Sequence, residues 1–359
     1  MSDQSAPTKT ISDFEANLEK ADKGVASFER DDRTFGHVLR LFLRNYPTTI
    51  PALILLVGIA GFGLIARNFM TPSTLSLVLQ QVTITGIVAI AQTAVILTAG
   101  IDLSVGEIMV FSSMIMGKLA VYGGWPLYAA VVAGFVGAGV MGALNGALVA
   151  YVRLPAFIVT LGTLGIFRAI KLWFTQSESV RAIDIDNTAP GLLWFGNAWT
   201  WHGASLTYGG IGLLVLAVFA WYMLNRTAWG RHVHAIGDEP DSAMLSGINT
   251  SRTLVTVYAF AGLVCALAAW VSIGRVGSIA PLGFDTLNLD TITAVVIGGT
   301  SLFGGRGSII GSVLGAMIVG VFSTGLSLAG VDDYWQLFAT GWLVIIAVAI
   351  DQWLRRASQ

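Results

Sequence analysis

Residues 82–99 read VTITGIVAIAQTAVILTA, with no charge in eighteen positions, and after the break GIDL at 100–103 a second run, SVGEIMVFSSMIMGKLAVY, fills 104–122. A helix needs roughly 17–25 mostly apolar residues to cross about 30 Å of hydrocarbon, so each run predicts one membrane span. Outward from this pair, similar runs lie near 50–66, 126–149, 155–174, 206–225, 253–273, 289–303, 309–328 and 335–350. The expected fold is therefore an all-α polytopic membrane protein of about ten transmembrane helices. The run at 289–303 is short and glycine-rich and carries Asp290, so a broken or re-entrant helix is equally open there.

Composition agrees with the runs. The 359 residues are 55% hydrophobic and 11% charged, where soluble domains carry about 25% charge. Residues 1–49 hold 15 of the 41 charged side chains, which leaves 26 for the other 310 positions and excludes a large soluble globule. Two regions are expected: a polar cytoplasmic tail over 1–49 and a single transmembrane domain over 50–359. Within the tail, Phe35, Val38, Leu39 and Phe42 repeat at helical spacing, as in a helix lying on the inner leaflet or an ordinary flank of the first span. The tail has no apolar core with a cleavage site, so no removable signal peptide is expected. A net charge of −1 supplies no field to gather nucleic acid.

Positive charge retained on cytoplasmic loops sets the orientation. With the N-terminus inside, fourteen Lys and Arg fall on the inner side, against Arg67, Arg181 and Arg275 outside. That predicts both termini in the cytoplasm. The longest external loop, 175–205, carries Trp194, Trp199 and Trp201 and is expected to cap the bundle at headgroup level.

Forty-two glycines are about 12% of the chain, against a usual 7%. Gly134, Ala138, Gly142 and Gly146 form a ladder of small residues, as do Gly307, Gly311 and Gly315. Small residues at that spacing let helix backbones approach closely. Gly298, Gly299, Gly304 and Gly305 are assigned to packing on the same grounds. Asp102 and Glu107 flank the break at 100–103, where Ser104 with Glu107 three residues later has the pattern of a capping box. The other reading puts one of these carboxylates on a transport pathway or gate, because an ionisable group in a bilayer is costly. Gln80, Gln81, Gln92 and Asn145 could bond a hydroxyl-rich solute or bond between helices, and Asp290 is a further pathway candidate.

Catalytic chemistry is not evident. The run GGTSLFGGRG at 298–307 lacks the Gly-Lys-Ser/Thr ending of a phosphate loop, and no lysine follows Lys171. His232 and His234 are two apart with no third ligand, which does not make a helical zinc site. Cys265 is the single cysteine and reads as a small core residue. Neither an enzyme nor a metal site is expected.

The longest internal loop, 226–252, reads RTAWGRHVHAIGDEPDSAMLSGINTSR. Asp238, Glu239 and Asp241 around Pro240 favour a helix start, and Gly247 suits its stop. A helix of two turns is expected at the inner surface, either seated in a partner protein or serving as an amphipathic tether.

In this loop Asp241-Ser242-Ala243, followed after three residues by Gly247, resembles the Glu-Ala-Ala…Gly coupling motif of ABC importer permeases, with Asp for Glu and Ser for the first Ala. The loop as a whole resembles ribose-type sugar permeases through Gly230-Arg231, Ala235-Ile236-Gly237 and Leu245-Ser246-Gly247-Ile248. So do LTAGIDLSVG at 97–106, LPAFIVTLG at 154–162 and AVVIGGTSLFGG at 294–305. Within this ribose/xylose/fructose type, WYMLNRTAWGR at 221–231 and AVAIDQW at 347–353 look most like rhizobial fructose-type permeases.

The resemblance implies the transmembrane subunit of an ATP-driven monosaccharide importer in a bacterial inner membrane, homodimeric, with a periplasmic sugar-binding protein outside. ATPase subunits, holding the ATP and Mg, would dock inside on Gly230, Arg231, Gly237, Asp238, Glu239, Asp241, Ala243 and Gly247. The passage would lie at the dimer axis and be wide and weakly polar. Two rivals stay open: a proton-coupled secondary transporter using Asp102, Glu107 or Asp290, and a membrane scaffold that transports nothing.

Overall fold

A computed structural model describes residues 48–356; the helix expected around Phe35–Phe42 lies outside the described residues. The chain runs through α1 (Thr49–Ile65), α2 (Pro72–Leu97), α3 (Val105–Gly117, continued by a π-turn at Lys118–Tyr122), α4 (Leu127–Ala150) and α5 (Ala156–Thr175). A short helix α6 (Ala182–Thr188), a 3-10 turn at Pro190–Gly196 and a hairpin of β1 (Ala198–Trp201) and β2 (Ala204–Thr207) follow. The second half holds α7 (Tyr208–Arg226), α8 (Ala228–Asp238), α9 (Pro240–Leu245), α10 (Thr250–Val276), α11 (Leu287–Ile297), α12 (Ile309–Leu328) and α13 (Asp333–Arg356).

Among the described residues seven helices are long and apolar enough to cross a membrane, namely α2, α3 with its π-turn, α4, α5, α7, α10 and α12, and α1 and α11 are shorter apolar helices. The protein is an all-α polytopic membrane protein, and the one hairpin among the described residues, with register Ala198↔Thr207 to Trp201↔Ala204, lies at the loop expected as a cap. Trp199 and Trp201 on that hairpin are exposed.

Of the boundaries that differ from the sequence expectation, two have a plain local cause. Helix α2 starts at Pro72 rather than near 82, because Thr71 caps it by accepting the Thr74 N–H at 3.3 Å, Pro72 occupies its first position, and the polar residues of the early turns find partners. Gln80 Nε2 donates to Ser205 Oγ at 3.1 Å and Gln81 Nε2 to Ser323 Oγ at 3.2 Å. Helix α11 stops at Ile297 instead of 303, since Gly299 takes φ +86°, and its eleven residues rise only about 16 Å. It is a half-helix, not a full span.

Buried almost throughout from Val82 to Leu97, α2 forms the axis of the core. Helices α4 and α10 meet backbone to backbone beside it. A Cβ on Gly142 would collide with the Tyr258 carbonyl, one on Gly146 would stand 2.8 Å from Val255 Cα, and one on Gly262 would collide with the Ala138 carbonyl. At Gly134 the close neighbours belong to α3: Ser112 Oγ donates to the Gly134 carbonyl at 3.0 Å. Gly298, Gly311 and Gly315 bring the end of α11 against α12 in the same way. Gly304 and Gly305 also pack closely, a Cβ on Gly304 standing 2.7 Å from the Gly237 carbonyl and one on Gly305 3.1 Å from Asp238 Cα, and Gly299 is the turn that ends α11. All three have positive φ and shape the loop after α11, a conformation that costs an L side chain energy.

Candidate functional site

The loop 226–252 is built on α8. Thr227 caps it by accepting the Gly230 N–H at 3.2 Å, and Gly230 lets the chain fold back so closely on α7 that a Cβ there would strike the Leu224 carbonyl. Val233 and Ile236 are buried, Trp229 Nε1 donates to Thr256 Oγ1 on α10 at 2.9 Å, and Arg231 is exposed. At the far end Gly237 presses on two other segments at once. A Cβ on it would collide with the Leu97 carbonyl at the end of α2 and stand 2.5 Å from the Gly305 nitrogen. The same three strands of backbone are tied by Gly305 N–H donating to the Leu97 carbonyl at 3.0 Å, and by His234 Nδ1 and the Gly305 carbonyl at 2.9 Å.

Beyond this clamp the chain projects outward. Pro240 starts α9, which has six residues rather than two full turns because Gly247 at φ +83° ends it. Ile248 N–H donates to the Ala243 carbonyl at 3.1 Å and closes the turn. Ala243 is buried under the helix, while Asp238, Glu239 and Asp241 are exposed. Met244 and Leu245 are exposed beside them, Leu245 at 86%, so the tip is an apolar knob with an acidic base. Asn249 then caps α10 by accepting the Arg252 N–H at 2.9 Å.

The polar residues expected on a pathway fall into two separate places. At the break after α2, Asp102 is buried and its Oδ1 accepts both the Ser104 N–H at 2.7 Å and the Ser104 hydroxyl at 2.6 Å. Asn145 Nδ2 donates to Ser104 Oγ at 2.8 Å, and Thr160 Oγ1 donates to the Ile101 carbonyl at 3.0 Å. Gln92, with its amide oriented to suit both contacts, donates to the Asp102 carbonyl at 3.1 Å and accepts the Asp102 N–H at 3.2 Å. These side chains stand in for the missing helical bonds of backbone that lies inside the bundle.

The capping box does not form. Ser104 has helical φ and ψ and makes no side-chain cap, because its hydroxyl is committed to Asp102. Glu107 instead meets Lys171 Nζ at 2.6 Å, a pair with 11% and 2% side-chain exposure, with Arg168 at 4.0 Å. Arg168 also reaches Asp285 at 3.6 Å. Sequence reading missed Lys171 and Arg168 as partners. Their signal was two cations three apart on one face of an apolar helix, which in a bilayer requires a counter-ion.

Asp290 lies elsewhere, in α11. Its Oδ2 accepts from Thr286 Oγ1 at 3.1 Å, and it lines a cavity of about 260 Å³ with Gln81, Ser323 and Gln336.

The bundle thus holds a half-helix at α11, a buried ion pair, Glu107–Lys171, and an exposed apolar tip at α9. Residues 74–348 match the family described as branched-chain amino acid transport system / permease component. The chain belongs to this permease family. It is 46% identical to the fructose import permease protein FrcC of Rhizobium meliloti over 359 residues, all of both chains. It is 36% identical to the ribose import permease protein RbsC of Bacillus subtilis, covering 84% of this chain and 92% of that one. With the xylose transport system permease protein XylH of Escherichia coli it shares 33% identity, over 81% and 87%. As a permease component it is a multi-pass protein of the bacterial inner membrane and not an enzyme.

Proposed function

We propose that this chain is the transmembrane subunit of an ATP-driven monosaccharide importer of the fructose type, with ribose or a related sugar as the alternative cargo. Supporting the sugar class are relatives named for fructose, ribose and xylose, the first alike over the whole chain. Supporting the coupling role is one observation above the others: the exposed knob of α9 is joined through Gly237 to the end of α2 and to the 298–307 loop with no flexible side chain between.

The knob would seat in a cleft of the ATPase subunit, Met244 and Leu245 supplying apolar contact and Asp238, Glu239 and Asp241 meeting basic groups at its rim. When ATP draws two such subunits together, α8 and α9 would move as one piece. Gly237 would then push on Leu97 and Gly305, and so on the break at 98–104 and the turn between α11 and α12. Packed elements with two arrangements turn small shifts into opening and closing.

A second copy would pair with this one across α5. Gly162 and Gly165 on that helix have open space around them, and Arg168 on the same helix is 43% exposed. A guanidinium turned to lipid would be costly, so this face fits a protein or water-lined axis. Both termini would be cytoplasmic, with residues 1–49 as a tail and the rest as one domain. The periplasmic binding protein would meet the end bearing the hairpin.

The test is reconstitution of the chain in liposomes with and without its ATPase and binding protein, against a panel of labelled sugars. Uptake that requires both partners and ATP supports the reading. Uptake by the chain alone under a proton gradient would instead make it a secondary transporter, and no uptake with full assembly would leave a scaffold.

A further inference from the structure

A wide, weakly polar passage has no need of the cavity beside Asp290. It lies between α2, α11, α12 and α13, where Gln81, Asp290, Ser323, Gln336 and Thr340 meet an apolar wall that includes Val319 and Leu337. Among the described residues no Lys, Arg or His lines it, which disfavours a phosphate or carboxylate ligand. Several polar atoms on its wall are unspent: Asp290 Oδ1, Gln336 Oε1 and Thr85 Oγ1 have no hydrogen bond among the described residues, although their neighbours do.

We infer that this cavity is a low-affinity binding site for the neutral sugar itself, a stopping place within the permease between the binding protein and the inner side. The inference rests on the sugar-importer reading above. At about 260 Å³ the cavity falls just below the roughly 300–1,000 Å³ of pockets that take drug-sized ligands, which suits a small solute. A sugar hydroxyl is both donor and acceptor, and the wall offers both kinds of partner: carboxylate oxygens that only accept and amides that do both. The carbon-bound face of the ring has Val319 and Leu337 to lie against. A metal cation is a poorer fit, because it wants six or more oxygens converging at about 2.0–2.6 Å and no amide N–H or alkyl group among them.

Position supports the same assignment. The cavity is lined at the starts of α11 and α13, and in the proposed orientation these ends face the periplasm. It also adjoins the proposed axis: Thr286 on its wall is next to Asp285, which reaches Arg168 on α5 at 3.6 Å. Movement of α5 against that ion pair would alter the cavity's rim.

Ser323→Cys gives a direct test, because the native cysteine, Cys265, is buried. The variant is assembled with ATPase and binding protein in liposomes, and its labelling by a small maleimide is timed with D-fructose, with D-ribose and with KCl. One of the two sugars is expected to slow labelling about threefold when present at twice its dissociation constant. Asp290→Asn and, separately, Thr340→Phe are expected to abolish that protection while the complex still assembles and hydrolyses ATP. No protection by either sugar, protection by KCl alone, or protection unchanged in both variants overturns the site. Absence of any ATP-driven sugar uptake by the wild-type complex overturns the importer reading instead.

Discussion

Replacing Gly237 by alanine tests the mechanical link with a single methyl group. The added Cβ would stand 2.5 Å from the Gly305 nitrogen and nearer still to the Leu97 carbonyl, where real Cβ contacts essentially never fall under 3.0 Å. All the neighbours are backbone, so no side chain can turn aside. Helix α8 must therefore retreat by more than the 0.5 Å that separates those two values, and the 2.9 Å contact of His234 with the Gly305 carbonyl must stretch with it. Overpacking of this kind costs about 1–3 kcal/mol and a lost hydrogen bond about 1 kcal/mol more. A total near 2 kcal/mol or above lowers the population with α8 seated by roughly 30-fold, at about 1.4 kcal/mol per tenfold. The assay is ATP-driven sugar uptake in liposomes, run beside ATP hydrolysis by the same complex. Uptake is expected to fall more than tenfold while hydrolysis persists, with the permease still inserted at normal levels. Wild-type uptake per ATP in Gly237→Ala would refute the link, and with it the route from α9 to the break.

Gly247→Ala makes the contrast, since no atom lies within 4 Å of its added Cβ and only φ +83° is strained; a cost near 1 kcal/mol should reduce uptake by several-fold, not abolish it. Glu107→Gln leaves the buried Lys171 ammonium without a charge partner and should lower stability by about 3–5 kcal/mol, read as a drop in melting temperature, whereas Glu178→Gln at the exposed Lys118–Glu178 pair should change it by no more than about 1 kcal/mol. Asp102→Asn keeps an oxygen to accept from Ser104 and removes the charge from a buried carboxyl whose Oδ2 has no partner, so thermal stability and uptake should stay near wild type. Asp102→Ala strips the acceptor from the Ser104 N–H and should cost roughly 1–3 kcal/mol in the same melt. A gate that needs the charge of Asp102 would show the opposite pattern, with lost uptake in a fully stable Asp102→Asn.

The helices were legible in the sequence wherever an apolar run coincided with a span. They were less so at α2, whose early turns hide behind Gln80 and Gln81, because the partners that offset those amides, Ser205 and Ser323, are distant in the chain. Glycine spacing pointed to close packing on α4, yet it could not distinguish Gly298, pressed on α12, from Gly299, which turns the chain through positive φ. In the 226–252 loop the acidic start and glycine stop of α9 could be read locally, whereas the clamp at Gly237 joins three segments and has no local signature. The partner of Glu107 is hidden for the same reason, since neither a cap at Ser104 nor a place on a pathway points to Lys171. Spacing shows the neighbour at three residues and is blind to the one at sixty-four.

That separation has a consequence for how the chain is made. Glu107 and Lys171 are 64 residues apart. At about 5–20 residues per second, the ribosome delivers the lysine some 3–13 s after the glutamate. During that interval α3 must enter the membrane, or wait at its edge, carrying an acidic group with no counter-charge. Biogenesis of this protein should thus pause around its third helix until the fifth arrives, and a chain truncated before residue 171 should be the form most exposed to membrane quality-control proteases.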